Sequence, residues 1–143
     1  MSIPMILQLS VSGLGFSGAD VGGFFASKNL NESDHEKHML LMKWHALSVF
    51  QPFMRQHSHK DAKRREPFLF KQEVFDVLRW SIRQRQVLMP YLYTIFKEYS
   101  AIGVPPMRPV HMEFPSEPIR DDYLFMCGPS LLVKPATTED DQT

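Results

Sequence analysis

Two short stretches hold the residues whose types and spacing could do chemistry. The first is FSGADVGGFF, residues 16–25, where an apolar run stops at Asp20, passes through Gly22 and Gly23, and reaches Phe24 and Phe25. In parallel α/β folds the functional groups gather at the C-terminal ends of strands, which is where Asp20 would sit. The two glycines let the backbone turn sharply or come close to a ligand, and the phenylalanines could wall a pocket. Ordinary packing accounts for the same residues: a turn aspartate bonded to its own backbone and two core phenylalanines. The second stretch is RQHSHKDAKRREP, residues 55–67, where His57, His59 and Asp61 alternate. On a strand all three would share a face and could ligate a metal. Three ligands so close together in a charged stretch form a weak pattern. A histidine that binds a sugar or an anion beside Arg55 is the favoured reading, and no metal is expected. The run KRRE, residues 63–66, reads as a solvated, self-paired loop.

These residues need elements to position them. Pro4 fits the first turn of a helix, so MILQLSVSGL reads as a short buried helix that Gly13 and Gly15 end. LGFSGAD, residues 14–20, reads as a strand finished by Asp20. After a polar loop, Ser33 and Glu36 match a capping box. Met39, Met42, Leu47 and Phe50 then follow helical spacing over roughly 34–49. Pro52 stops that helix, and PFMRQH, residues 52–57, reads as a second strand. A long helix is expected from about Gln72 to Ser100, with Pro90 kinking or splitting it and Gly103 ending it. MRPVHMEF and SLLVKP read as strands. Alternation of helix and strand over the first hundred residues implies a parallel α/β unit, with β character from Pro105 onward. His35, His38 and His45 on the second helix are expected to face solvent, Trp44 and Trp80 to anchor packing, and Met39 to Met42 to fill the core.

Composition narrows the function classes. The length of 143 residues fits one domain or part of a larger one. Sixteen basic and sixteen acidic residues cancel, so the chain carries no electrostatic footprint for nucleic acid or a membrane surface. Cys127 stands alone, which excludes an internal disulfide and a cysteine zinc cluster. The apolar N-terminus lacks a basic leader and is too short to span a bilayer. No signal peptide, retention signal or lipidation motif is expected in these residues.

Six blocks in order carry a resemblance: SIPM at Ser2, GADVGGFF at Gly18, FQPFMRQHSHKDAKRREPFLF at Phe50, LMPYLYTIF at Leu88, PPMRPVHMEFP at Pro105 and DDYLFMCGPSLLVKP at Asp121. Together they resemble family 31 of the glycoside hydrolases, in the branch of glucosidase II catalytic subunits and neutral α-glucosidases. The resemblance implies the C-terminal part of a (β/α)8 TIM barrel, residues 1–104, running into the start of a β-domain, residues 105–135, with a polar tail at 136–143. FSGAD resembles the seventh barrel strand and FMRQH the eighth. By the same resemblance Asp20 is a ligand for sugar hydroxyls, Phe24 lines that pocket, His57 bonds the same sugar and Arg55 supports the site. A carboxylate so placed can hold two hydroxyls through charge-assisted hydrogen bonds.

Retaining hydrolysis needs a nucleophile and an acid/base flanking the bond. The family's W-x-D-M-N-E nucleophile motif and its acid/base aspartate have no counterpart in these residues, so this chain alone is expected to be inactive. Glu66 and Glu113 are acidic candidates by type only, since no spacing aims them at Asp20. KWHA stands at Lys43 where the family commonly has R-W-Y-Q, and Phe68 where tryptophan is usual. The resemblance further implies an α-glucoside or glucosylated N-glycan substrate, no cofactor, a regulatory subunit for the full-length parent, and the endoplasmic reticulum lumen as its location. The alternative is a non-catalytic sugar-binding or interaction module that pairs with other barrel fragments.

Overall fold

The computed structural model describes residues 2–25 and 34–136. Among the described residues the chain forms three helices, α1 (Ser2–Val11), α2 (Asp34–Ser48) and α3 (Gln72–Ile102), followed by three short strands, β1 (Met107–Pro109), β2 (Phe125–Cys127) and β3 (Leu131–Val133). Single 3-10 turns occupy Pro67–Leu69 and Val110–Met112. The α/β class therefore holds, with the strands arranged differently from the local reading.

The two expected inner strands do not form as strands. LGFSGAD and PFMRQH lie side by side as extended segments joined by one parallel bridge, Asp20 to Arg55. Three backbone hydrogen bonds tie the segments: Phe53 N–H to Ser17 C=O at 3.2 Å, Val21 N–H to Arg55 C=O at 2.9 Å and His59 N–H to Phe24 C=O at 2.9 Å. A parallel pair is the weaker kind of ladder and is normally buried between further strands and covering helices. Neither segment has a second strand neighbour among the described residues, so pairing stays sparse.

The second half folds differently. β1, β2 and β3 form an antiparallel sheet in that order, with Met107 opposite Cys127 and Phe125 opposite Val133. Every residue of β2 is buried. Its continuous apolar run lacks the alternation by which a half-buried strand is recognised, which is why local reading passed over it. MRPVHMEF supplies only β1 before turning into the 3-10 helix. Ile3, Ile6 and Leu7 of α1, Leu92 and Ile95 of α3, and Met107, Phe125, Cys127 and Val133 of the sheet make one core. A smaller cluster joins Leu41 to Val74 and Leu78, where α2 packs on the first half of α3.

α3 runs unbroken through Pro90 rather than splitting there. Pro90 lies on the exposed side, so the carbonyl four residues earlier that loses its N–H partner can turn to water. Gly103 ends the helix in the left-handed conformation, φ +78°, its N–H bonded to the Tyr99 carbonyl at 2.9 Å. Arg85, from mid-α3, donates to the carbonyls of Val49 (2.7 Å), Gln51 (2.6 Å) and Pro52 (2.9 Å), satisfying acceptors just past the end of α2.

α2 buries a different face from the one expected. Leu41, His45 and Ser48 point inward, while Met39, Met42, Leu47 and Phe50 are only half-buried. The helix has almost no amphipathic contrast, so its rotational phase was not legible. His45 corrects the solvent-facing expectation: it is 1% exposed. His38 is half-buried with its ring edge-on to Phe70, and the His35 side chain lies outside the described residues. Trp80 is exposed at the rim of a small concavity with Val49 and Phe50, and Trp44 is half-buried, so neither is a buried packing anchor. The capping serine, Ser33, also lies outside the described residues.

Candidate functional site

The turn after Asp20 is set by its glycines. Gly23 N–H bonds the Asp20 carbonyl at 2.8 Å, closing a four-residue turn. Gly22 occupies its third position at φ +83°, a value that such turns require and that side chains resist. The turn sends the chain back across the neighbouring segment, bringing Phe24 beside His57 with ring centroids 5.4 Å apart.

Asp20 meets Arg55 at the parallel bridge itself. Arg55 Nε donates to Asp20 Oδ1 at 3.2 Å and Nη2 donates to the same oxygen at 3.0 Å. Both contacts fall on Oδ1, and no hydrogen bond to Oδ2 is found among the described residues. The Asp20 side chain is one-fifth exposed. Its second oxygen can therefore accept from a ligand while the guanidinium orients the carboxylate. Arg55 also lies 5.3 Å over the Phe53 ring, a cation–π contact that steadies the fork.

The structure thus brings Asp20, Phe24, Arg55 and His57 together on adjacent extended segments. It does not align His57, His59 and Asp61 on a strand face, because no strand continues past the bridge at Arg55. His59 instead tucks against Phe24 and Phe25, at 5.8 and 5.6 Å, and its Nδ1 accepts the Asp61 N–H at 3.3 Å with Asp61 Oδ2 3.5 Å away. No group of three or more His, Cys, Asp or Glu able to hold a metal occurs among the described residues. Neither acidic candidate reaches the site: Glu113 takes Arg108 at 2.6 Å and Glu66 takes Arg64 at 2.9 Å.

Sequence reasoning missed Arg65 and misplaced His45. KRRE is self-paired only through Arg64 and Glu66; Arg65 turns inward and bonds three backbone carbonyls of the site loops. Only the alternation of side chains along an extended run hinted at this. His45, next to Gln56, is so enclosed that burial pushes its pKa down to about 4. Gln56 lies close enough to favour the charged form, yet neither ring nitrogen completes a hydrogen bond of good geometry. The imidazole is therefore neutral near pH 7.

One sizeable groove among the described residues does not include Asp20 in its lining. It is an open apolar groove of about 750 Å³ beneath α3, bordered by Phe16, Phe53, Ile82, Met89, Tyr93 and Phe96.

Comparison with known proteins fits both halves. Residues 1–95 match the glycosyl hydrolases family 31 TIM-barrel domain, and residues 103–143 match the glycosyl hydrolase family 31 C-terminal domain. A probable glucan 1,3-alpha-glucosidase of Oryza sativa subsp. japonica is 47% identical over 135 residues, covering 93% of this chain and 14% of that protein. The solved glucosidase II alpha subunit in its Glc1Man2-bound form superposes with a TM-score of 0.84 at 38% identity, over 97% of this chain and 14% of the other. An ER glucosidase II heterodimer of the catalytic subunit with the binding domain of the regulatory subunit gives 0.83 at 38% identity, over 97% and 15%. The chain spans about one-seventh of the length of the curated relatives it matches.

Proposed function

This chain belongs to family 31 of the glycosyl hydrolases, and we propose on that premise that it forms the closing segment of a retaining α-glucosidase barrel and supplies one wall of the glucose pocket. In this reading residues 1–104 finish the barrel, 105–135 begin the following β-domain and 136–143 form a tail. Asp20 Oδ2 accepts from sugar hydroxyls, His57 bonds the same sugar, Phe24 lines the pocket and Arg55 fixes the carboxylate. Interactions of this kind orient substrate and can strengthen as the transition state forms. Bond cleavage requires a nucleophile and an acid/base. These residues offer no candidate for either, so the segment contributes recognition and not the chemical step. The substrate class is a terminal α-linked glucoside, including a glucosylated N-glycan, handled in the endoplasmic reticulum lumen by a parent that takes a regulatory subunit.

The observation that carries the reading is the convergence on Asp20. Its carboxylate is held on one oxygen by Arg55 at 3.0 Å, no hydrogen bond to the other is found among the described residues, and the Phe24 and His57 rings pair across the same two segments. The test is a titration of the chain with glucose followed by NMR, run beside a turnover assay with 4-nitrophenyl α-D-glucoside. Saturable shifts at Asp20, Phe24 and His57 without turnover are expected. Hydrolysis that scales with the concentration of this chain would overturn the recognition-only role, and the absence of shifts would overturn the pocket. The exposed apolar groove favours a second reading, an interaction module that pairs with other barrel segments, because unpaired parallel edges and bare helix faces invite partners.

A further inference from the structure

One guanidinium joins the two loops that carry the candidate sugar contacts. Arg65 Nη1 donates to the Gly22 carbonyl at 2.7 Å, and Nη2 donates to the carbonyls of Gly23 at 2.5 Å and His57 at 2.7 Å. The first two acceptors belong to the turn that separates Asp20 from Phe24. The third is the backbone of the candidate sugar-binding histidine. Arg65 is itself held from behind, since Gln56 Nε2 donates to the Arg65 carbonyl at 2.5 Å.

The glycine turn is shaped around this side chain. A Cβ built at Gly22 would lie 2.9 Å from Arg65 Nη1 and 2.9 Å from Leu41 Cδ1. Gly22 therefore does two things: it takes the positive φ, and it leaves the space that the guanidinium fills. Gly23, with nothing within 4 Å of a built Cβ, meets only the first need.

We propose that Arg65 is a positioning residue of the glucose pocket: by clamping the Gly22, Gly23 and His57 carbonyls it sets the distance between Asp20 and Phe24 on one loop and His57 on the other. The assignment rests on the glucose-pocket reading, and Arg65 acts only through backbone it holds. The chemistry suits arginine. A planar fork can satisfy three carbonyls converging from two loops, and it stays charged when partly desolvated, whereas a lysine ammonium is a strongly hydrated point charge on a flexible stem. Arg64, one residue earlier, faces outward to Glu66 and supplies a matched control.

The experiment compares Arg65→Met, Arg65→Lys and Arg64→Met in the full 143-residue chain. Amide hydrogen exchange is read at Val21, Gly23 and His59, whose N–H groups close the two loops, and at Met126 and Cys127 in the sheet. Each variant is also titrated with methyl α-D-glucopyranoside. Loss of charge-assisted hydrogen bonds predicts exchange at Gly23 and His59 faster by about 10-fold or more and sugar affinity weaker by a similar factor in both Arg65 variants. Arg64→Met and the sheet amides should not change. If Arg65→Met also loses sheet protection, Arg65→Lys carries the comparison. Wild-type exchange and affinity in Arg65→Lys would overturn the clamp. Faster loop exchange with unchanged sugar affinity would reduce Arg65 to a purely structural tie. A wild-type chain that binds no sugar would sink the pocket reading, and loop exchange would then decide the clamp alone.

Discussion

The antiparallel sheet and the parallel pair are held together by different forces. In the sheet, each strand finds its partner within the chain, and Phe125, Met107 and Cys127 are sealed against α1 and α3. Backbone pairs with backbone, and apolar surface covers apolar surface. In the parallel pair, three main-chain bonds and one bridge do the pairing. Side chains supply the rest: Arg55 reaches Asp20, Arg65 reaches three loop carbonyls and Arg85 reaches three more beyond α2. The half that completes itself is sealed mainly by apolar side chains, with the buried Arg108 paired to Glu113 at its edge. The half that carries the candidate site is stitched by guanidinium groups and leaves its edges open. A binding site needs exposed polar groups in fixed places, and side-chain donors can fix a backbone that a sheet does not enclose.

The sharpest way to break this contrast is in the sheet. Phe125→Ala removes a ring with no exposed surface and should destabilise the chain by roughly 3–5 kcal/mol, the usual cost of emptying such a site. Urea unfolding read by circular dichroism would measure it. A loss under about 1 kcal/mol would mean that this core is not the dominant one.

Acid should act next, and on the other half. The folded pKa of His45 is pushed down to about 4 from 6.5. Above pH 6.5 both folded and unfolded states hold the neutral ring, and its effect on stability is flat. As pH falls from 6.5 toward 4, only the unfolded chain takes up the proton, so stability drops. The loss from this residue should reach on the order of 3 kcal/mol and level off below pH 4. Melting temperatures of the wild type and His45→Tyr across that window would isolate it. Parallel curves for the two proteins would refute the buried-neutral assignment.

At the small end, Lys134 and Asp121 form a surface pair at 3.6 Å with the lysine mostly exposed. Lys134→Ala should change stability by less than about 0.5 kcal/mol. A larger loss in the same urea titration would mean that exposed charge pairs also hold the sheet half together.

What the sequence disclosed follows the same divide. The three helices, the Gly103 stop and the four residues around Asp20 were legible because helical spacing, turn glycines and the ordered blocks are local signals. The continuous apolar strand β2 was not, because burial on both faces erases alternation. The inward face of α2 was not, because a helix carrying His45 and Ser48 inside and Leu40 outside gives no usable phase. Arg65 was hidden for a related reason. A charge run looks solvated until the carbonyls that need its donors are seen, and those carbonyls come from loops 42 and 43 residues earlier and 8 residues earlier in the chain.

The bridge between Asp20 and Arg55 closes a loop of 35 residues for little local reward. Loop-closure entropy must be overcome before such a contact returns anything, whereas α3 can grow turn by turn and the sheet closes shorter loops. Loop closure alone therefore predicts that the pairing which assembles the candidate site forms late and opens early, an order that amide exchange at Val21 and His59 against Met126 would measure. On that expectation, the time for which Asp20 and His57 can face one ligand is set by this pairing rather than by the sheet.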